Sequence, residues 1–178
     1  AVLLSTATAS SSASLEFTLP TAYKQVKFGF YNVTPATSGA QFNFQVNASG
    51  GSGFNETITS TYFRAKHFEN DSGTAFNYET GLDQAQGTSY QTISSSLYNA
   101  ADAGTSGEMS LLSPNSTTYV KHWYCTFSAM CYDASSLPYI QELFAAGYIN
   151  NTTNLSEISF KMSSGNISSG TIKMWGIK

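Results

Sequence analysis

Charged residues are scarce in this sequence, since Asp, Glu, Lys and Arg make up 11% of its 178 residues. Ordinary soluble domains contain roughly 25%. Arg64 is the single arginine, the seven lysines are dispersed along the chain, and the formal net charge is −3. Binding to nucleic acid needs clustered Lys and Arg side chains that neutralise phosphates. The composition therefore excludes nucleic acid as a partner.

Long apolar runs are also absent, because no stretch approaches the roughly 20 residues of a membrane-spanning helix. The first residues, Ala1–Ser5, are apolar for only four positions and have no preceding basic residue, unlike a signal peptide. A small residue at position 1 is what remains when an initiator Met is removed. We therefore expect a complete product that is made in the cytoplasm and has no membrane partner.

Cysteine is rare, and the chain has only Cys125 and Cys131. On one extended strand their separation corresponds to about 20 Å, whereas a disulfide requires Cα atoms within about 7 Å. The two could pair only if the strand folded back between them. We expect free, buried thiols, as in a reducing compartment.

Aromatic residues, by contrast, make up 14% of the chain and hydrophobic residues 41%. Aromatic and hydroxyl residues form strands, while the helix formers Glu, Lys, Arg and Gln are scarce here. Apolar residues alternate with polar ones in several segments, most regularly at Phe42, Phe44 and Val46. About eight such strands separated by turns predict an all-β fold, an antiparallel two-sheet β-sandwich that is jelly-roll-like.

The length of the chain fits a single core, because cores grow to about 250 residues before a chain divides. We predict a Ser/Thr-rich N-terminal arm over residues 1–14 and a single β-sandwich domain over residues 15–178. A neighbouring subunit, or packing on its own domain, would order this short extended arm. Residues 32–39 predict a turn-rich connection, and residues 137–147 fit a short helix, a strand or an irregular crossover.

No motif in the sequence carries catalytic chemistry. His67 and His122 lie in different contexts, whereas a zinc site needs three or four ligands at compatible spacing. There is no Gly-X-Ser-X-Gly nucleophile turn and no phosphate-binding glycine loop. Glycosidases need two carboxyl groups beside a bound sugar, but most acids lie in loop-like stretches, and even Glu108 and Glu157 are interpreted as solvated. We therefore predict no enzymatic activity, no catalytic residue, no metal and no cofactor.

Exposed tyrosines could bind sugars by stacking. Tyr fits a position within a sheet or at a subunit interface as well as it fits a sugar-stacking site. We favour core and interface positions over a sugar platform for the six candidates, which are Tyr62, Tyr78, Tyr90, Tyr98, Tyr132 and Tyr148.

The last predicted strand is apolar on both faces. Alternation places Ile172 and Met174 on one face, and Trp175 and Ile177 on the other. Such a strand is expected to be covered on both sides, by its own core and by another subunit or element. The predicted subunit-interface residues of the chain are Trp175, Ile177, Trp123 and Tyr148.

The C-terminal stretch 158–178, ISFKMSSGNISSGTIKMWGIK, resembles the ending of a family of small virion structural proteins of tailed bacteriophages. In that family a strand, an SSGNI-SG turn and a final strand close with an aromatic residue, Gly, Ile or Leu, and Lys. Weaker motifs agree at residues 31–37, 63–65 and 112–119.

This resemblance extends from about Ser14 to the C-terminus. The chain departs from the family pattern around Cys125 and Cys131 and over residues 133–154. These departures fall in the connection that precedes the matching C-terminal stretch.

The resemblance implies a non-enzymatic structural protein on the exterior of the virion, synthesised in the cytoplasm of the host bacterium. A tail fibre usually needs an amino-terminal anchor and a long stalk, so a capsid decoration or cement protein fits the length better. The implied partners are other virion proteins, namely major capsid or tail proteins, and sister subunits in a symmetric homo-oligomer, by family analogy a trimer. The alternative is a tail-fibre or receptor-binding protein, which adds a host glycan as a partner.

Overall fold

The computed structural model describes residues 1–178 and contains twelve β-strands and no helix. All strand pairings are antiparallel. In chain order the strands are β1 (Val2–Thr8), β2 (Leu15–Thr18), β3 (Gln25–Pro35), β4 (Ala40–Ala48), β5 (Ile58–Phe68), β6 (Thr74–Tyr78), β7 (Gln91–Leu97), β8 (Thr105–Leu112), β9 (Lys121–Tyr132), β10 (Pro138–Ile149), β11 (Leu155–Met162) and β12 (Ile167–Ile177).

The strands form two sheets. The large sheet has eight strands in the order β1-β12-β3-β8-β9-β10-β5-β6, and the small sheet has four in the order β7-β4-β11-β2. The sheets join where Leu97 of β7 pairs with Cys131 of β9. The result is a nearly closed, barrel-like sandwich, which confirms the predicted all-β architecture of two antiparallel sheets.

Aromatic side chains from both sheets fill the space between them. The rings of Phe30 and Phe127 lie 4.9 Å apart, and Phe28 and Phe160 lie 5.2 Å apart edge to face. All four are at most 1% exposed. Because burying one such side chain stabilises a fold by about 1.5–3 kcal/mol, this cluster holds the two sheets together.

The N-terminal segment is ordered by its own domain. Strand β1 pairs with β12 along its length, with one bulge between Leu3 and Ser5. After the strand, the backbone N–H of Ala9 donates to the carbonyl of Gly170, and Ser12 and Ile167 form an isolated bridge. Packing on its own domain, one of the two alternatives for the predicted arm, is therefore what orders it here.

Residues 138–147 belong to strand β10, so the short-helix alternative is wrong. Strand β10 pairs along its whole length with both β5 and β9. Tyr139, Gln141, Leu143 and Ala145 are buried in strict alternation. Two neighbouring strands supply every backbone partner, which outweighs the helix-like start and end signals of the sequence.

Two further sequence expectations need correction. Residues 32–39 are only partly a turn, because β3 continues to Pro35 and buries Val33 and Thr34. Strand β7 has no apolar alternation and was not predicted. Its buried residues include Gln91, Ser94 and Ser95, whose polar side chains find hydrogen-bond partners that only the folded chain provides.

Candidate binding face

The outer face of the eight-stranded sheet, here called the aromatic face, carries exposed aromatic side chains from several strands. Register partners form a row across it, because Phe63 lies opposite Phe144, Phe144 opposite Thr126, and Thr126 opposite Glu108. Alternation directs this set outwards, since the intervening residues of each strand face the core. The exposed aromatic residues of the face are Tyr31, Phe76, Tyr78, Tyr124 and Phe144.

Three phenylalanines pack on one another at the β6 side of this face, and we call them the phenylalanine patch. The rings of Phe63 and Phe144 are stacked, with centroids 5.2 Å apart and an interplanar angle of 12°, and Phe76 lies 5.6 Å from Phe63. Phe76 is 72% exposed and Phe144 is 39% exposed. Exposed apolar residues usually stand singly on the surface of a domain, so a contiguous cluster is a candidate interaction site.

A cleft of about 310 Å³ lies beside the patch and is called the Tyr124 cleft. Cys125 lies at its inner side, and burial raises the pKa of this thiol to about 12. The thiol therefore stays neutral near pH 7 and is not an activated nucleophile. The cleft is lined by Phe63, Glu108, Ser110, Tyr124, Cys125, Thr126, Phe144, Ala145 and Ala146.

A second cleft of about 540 Å³, the Trp175 cleft, lies further along the same face. Glu108 lines both clefts and forms an ion pair of 2.6 Å with Lys27. Gly29 forms part of the lining, and the side chains of Trp175 and Tyr31 reach over it. The remaining lining residues are Ala1, Phe30, Ser106 and Gly107.

The four predicted interface residues have different environments. Trp175 and Ile177 lie half-buried on the outer face of β12, opposite the buried Ile172, as alternation predicts. Tyr148 is half-buried and accepts a hydrogen bond of 3.3 Å from the side-chain amide of Gln86. Of the four predicted interface residues, Trp175 alone lines a cleft of the aromatic face.

Trp123 cannot be an interface residue, so that prediction is wrong. It is 1% exposed and packs edge to face on Phe44 with centroids 4.9 Å apart. Its strand was correctly identified, but the side of the strand that faces the core could not be read from an aromatic run. The exposed neighbours of Trp123 are His122 and Tyr124.

The tyrosines considered for sugar stacking are mostly engaged elsewhere. Tyr62 is fully buried and forms a hydrogen bond with Ser95, and burial raises its pKa. The rings of Tyr98 and Tyr132 pack 4.3 Å apart. The sequence did not single out Tyr31 or the members of the phenylalanine patch, because period-two alternation groups residues by face without indicating which face is open.

The outer face of the four-stranded sheet is different, because the loops 49–57 and 79–90 cross it. Gln45 is fully buried, and its Nε2 lies within 3.1 Å of three backbone carbonyls in these loops. Tyr90 extends over the sheet and its hydroxyl hydrogen-bonds that of Ser159 at 3.2 Å. This face is amide-rich and covered.

The acidic and histidine side chains of the chain are dispersed. Each of the five clefts on the surface has a single carboxylate in its lining, whereas glycoside hydrolysis uses two. No three His, Cys, Asp or Glu side chains lie close enough together to hold a metal ion. Cys125 and Cys131 are free and buried, as predicted.

The chain contains no helix that could span a membrane. Comparison with protein-family models, with curated proteins and with solved structures gives no match.

Proposed function

We propose that this chain is a structural protein on the exterior of a tailed bacteriophage particle, a capsid decoration or cement protein that acts through protein–protein contacts. The phenylalanine patch carries the proposal, because its exposed rings are the kind of surface that binding to another protein buries. The resemblance of the C-terminal stretch 158–178 supports the assignment to a virion.

The geometry of the patch suits docking. Phe63 and Phe144 are stacked on each other, so their rings are already positioned before a partner arrives and lose little side-chain freedom on binding. Aromatic anchors of this kind contribute a large share of the binding energy of protein interfaces. The partner is another virion protein, such as the major capsid protein, or a sister subunit of a homo-oligomer.

A tail-fibre or receptor-binding protein is the second candidate function. The observation that favours it is the Trp175 cleft, in which an indole, a phenol and an ion pair surround one open concavity. A receptor-binding role predicts a small ligand in this cleft, whereas a cement role predicts a protein surface over the phenylalanine patch.

The proposal is tested in particles of a phage that encodes this chain. Cryo-electron microscopy and mass spectrometry of purified particles should find the chain on the capsid exterior, with the phenylalanine patch covered by a neighbour. Phe76→Ser is expected to reduce incorporation several-fold without unfolding the domain, because this side chain is 72% exposed. Tyr119→Ser is the matched control, since Tyr119 is equally exposed and lies away from the patch.

Two results would overturn the proposal. One is absence of the chain from purified particles. The other is full incorporation of the Phe76→Ser variant into a capsid where the patch faces solvent. Location at the tail tip, with the Trp175 cleft pointing outwards, would replace it with the receptor-binding candidate.

A further inference from the structure

We propose that the Trp175 cleft binds a neutral pyranose sugar, as part of a larger glycan. The cleft alone supports such a site, whether or not the chain belongs to a virion. A pyranose ring has an apolar face of C–H groups and a rim of hydroxyls, so it needs an aromatic surface beside donors and acceptors.

Gly29 lets two aromatic side chains pack directly on the floor of the cleft. A methyl group at this position would lie 2.9 Å from Cζ3 of Trp175 and 3.1 Å from the hydroxyl of Tyr31. The two aromatic side chains therefore lean over Gly29 from β12 and β3. An aromatic residue that covers a glycine of the next strand, as Trp175 covers Gly29, can serve packing alone. Tyr31, on the same strand as Gly29, nevertheless keeps 47% of its surface exposed.

Hydrogen-bonding groups surround these rings. Lys27 and Glu108 form their ion pair at one side, with side chains 37% and 53% exposed, and both retain free donors or acceptors. Ser106 lines the β8 side, where its hydroxyl is held by the backbone N–H and the side-chain oxygen of Asn32. Hydrogen bonds that involve charged groups are the stronger ones, and sites for small ligands combine an apolar lining with a few such polar groups.

The volume and charge of the cleft narrow the class of ligand. Its volume of about 540 Å³ lies within the range of roughly 300–1,000 Å³ for small-ligand sites. Lys27 is the only lysine or arginine side chain of the lining and is paired with Glu108, so the cleft has no cluster of basic side chains of the kind that phosphates require.

A peptide strand is also a poor fit. The floor strand β3 is hydrogen-bonded on both sides, to β12 and to β8, so it has no free edge for strand addition. Recognition must come from side chains that converge on a compact ligand. A sugar ring has the matching combination of an apolar face and hydroxyls.

The experiment is acrylamide quenching of tryptophan fluorescence in the purified full chain. Trp123 is 1% exposed and stays shielded, so changes in quenching report Trp175. The probes are methyl glycosides of glucose, galactose, mannose and N-acetylglucosamine, with a galacturonic acid trimer as the charged probe. At least one neutral glycoside is expected to protect Trp175 saturably.

Matched variants distinguish binding at this cleft from non-specific binding elsewhere on the protein. Tyr31→Ala and Glu108→Gln are each expected to weaken binding about tenfold or more, since they remove a stacking ring and a charged acceptor. Tyr119→Ala, outside both clefts, should bind as the parent does. Gly29→Ala should abolish protection because its methyl group displaces Trp175, whereas Gly73→Ala should not, since only Phe68 lies near, at 3.9 Å.

Several outcomes would overturn the inference. The first is that no neutral glycoside protects Trp175. The second is that Tyr31→Ala and Glu108→Gln both bind as the parent does. The third is that only the charged trimer binds, and that salt weakens its binding. Protection that grows with protein concentration in the absence of sugar would show instead that a second copy covers the cleft. Phe76→Ser should leave sugar binding intact, so failure here is distinguishable from failure of the virion proposal.

Discussion

The outer face of the four-stranded sheet is polar and covered by the chain's own loops, whereas that of the eight-stranded sheet is aromatic and open. On the small sheet, Gln45 is fully buried beneath loops that its amide helps to hold. On the large sheet, Phe76 and Tyr124 are more than half exposed. In this sandwich the polar outward face is therefore the covered one. Its polar residues support the fold, whereas the aromatic outward residues of the large sheet stay exposed.

Among the outward-facing residues, the largest effect is expected on the covered face. Gln45→Leu should lower the free energy of unfolding by about 3 kcal/mol, because it removes a buried amide donor and leaves backbone carbonyls of two loops without a partner. Urea denaturation followed by circular dichroism measures this. Gln41→Leu, on the same strand and face but half-buried, should cost about 1 kcal/mol or less. Equal effects of the two substitutions would contradict the structural role of the covered face.

A comparable effect is expected at alkaline pH, and it probes the layer beneath the open face. Burial raises the pKa of Cys125 and of Cys131 from 9.0 to about 12. Above pH 9 the unfolded chain releases protons that the folded chain keeps, so stability should fall as pH rises from 9 towards 12.

The double variant Cys125→Ala, Cys131→Ala provides the control for this pH dependence. Its stability should fall less steeply over the same range, with the part due to Tyr62 remaining, since burial also raises the pKa of that phenol. Denaturant midpoints between pH 8 and 11 measure the slope. Identical slopes of stability against pH for parent and variant would show that the two thiols are not buried beneath the aromatic face.

A smaller effect on the free energy of unfolding is expected in the phenylalanine patch. Phe144→Ala should lower the free energy of unfolding by about 1 kcal/mol, the order of an aromatic pair contact on a surface. Phe160→Ala, in the core between the sheets, should cost about 3–5 kcal/mol. Thermal or urea unfolding of the two variants checks the ratio. A cost for Phe144→Ala as large as that for Phe160→Ala would mean that the patch is part of the core rather than a free surface.

The smallest effect concerns the ion pair of the Trp175 cleft. Lys27 and Glu108 are about as exposed as ordinary surface residues, at 37% and 53%, and such pairs contribute about 0.2–1 kcal/mol. A double-mutant cycle with Lys27→Met and Glu108→Gln should give a coupling energy in the lower half of that range. A coupling above about 2 kcal/mol would assign the pair to the fold rather than to a binding surface.

Much of the fold follows from local patterns. The alternation at Phe42, Phe44 and Val46 defined β4, and the split of Ile172 and Met174 from Trp175 in β12 was also as predicted. These succeed because a strand places successive side chains on opposite faces.

The failures have a common physical cause. The pattern over β10 fits a helix as well as a strand, and the pattern over β7 indicates no strand, because each strand depends on partners that are distant in the chain. The side-chain amide of Gln141 in β10 donates to the buried backbone carbonyl of Ser95 in β7, a contact that neither segment shows by itself. Trp123 was assigned to an interface for a related reason, since an aromatic strand residue fits a core equally well.

The sequence by itself determined that this protein is made of antiparallel strands, and which side chains share a face of each strand, because composition and period-two alternation are local properties. Only the tertiary structure decided which face is covered and which is open. A face is covered where another segment packs on it. The loops 49–57 and 79–90 cover the outer face of the four-stranded sheet, whereas no segment of this chain covers that of the eight-stranded sheet. The exposed phenylalanines and the cleft at Trp175 exist as surfaces only after eight distant strands have been brought into one sheet.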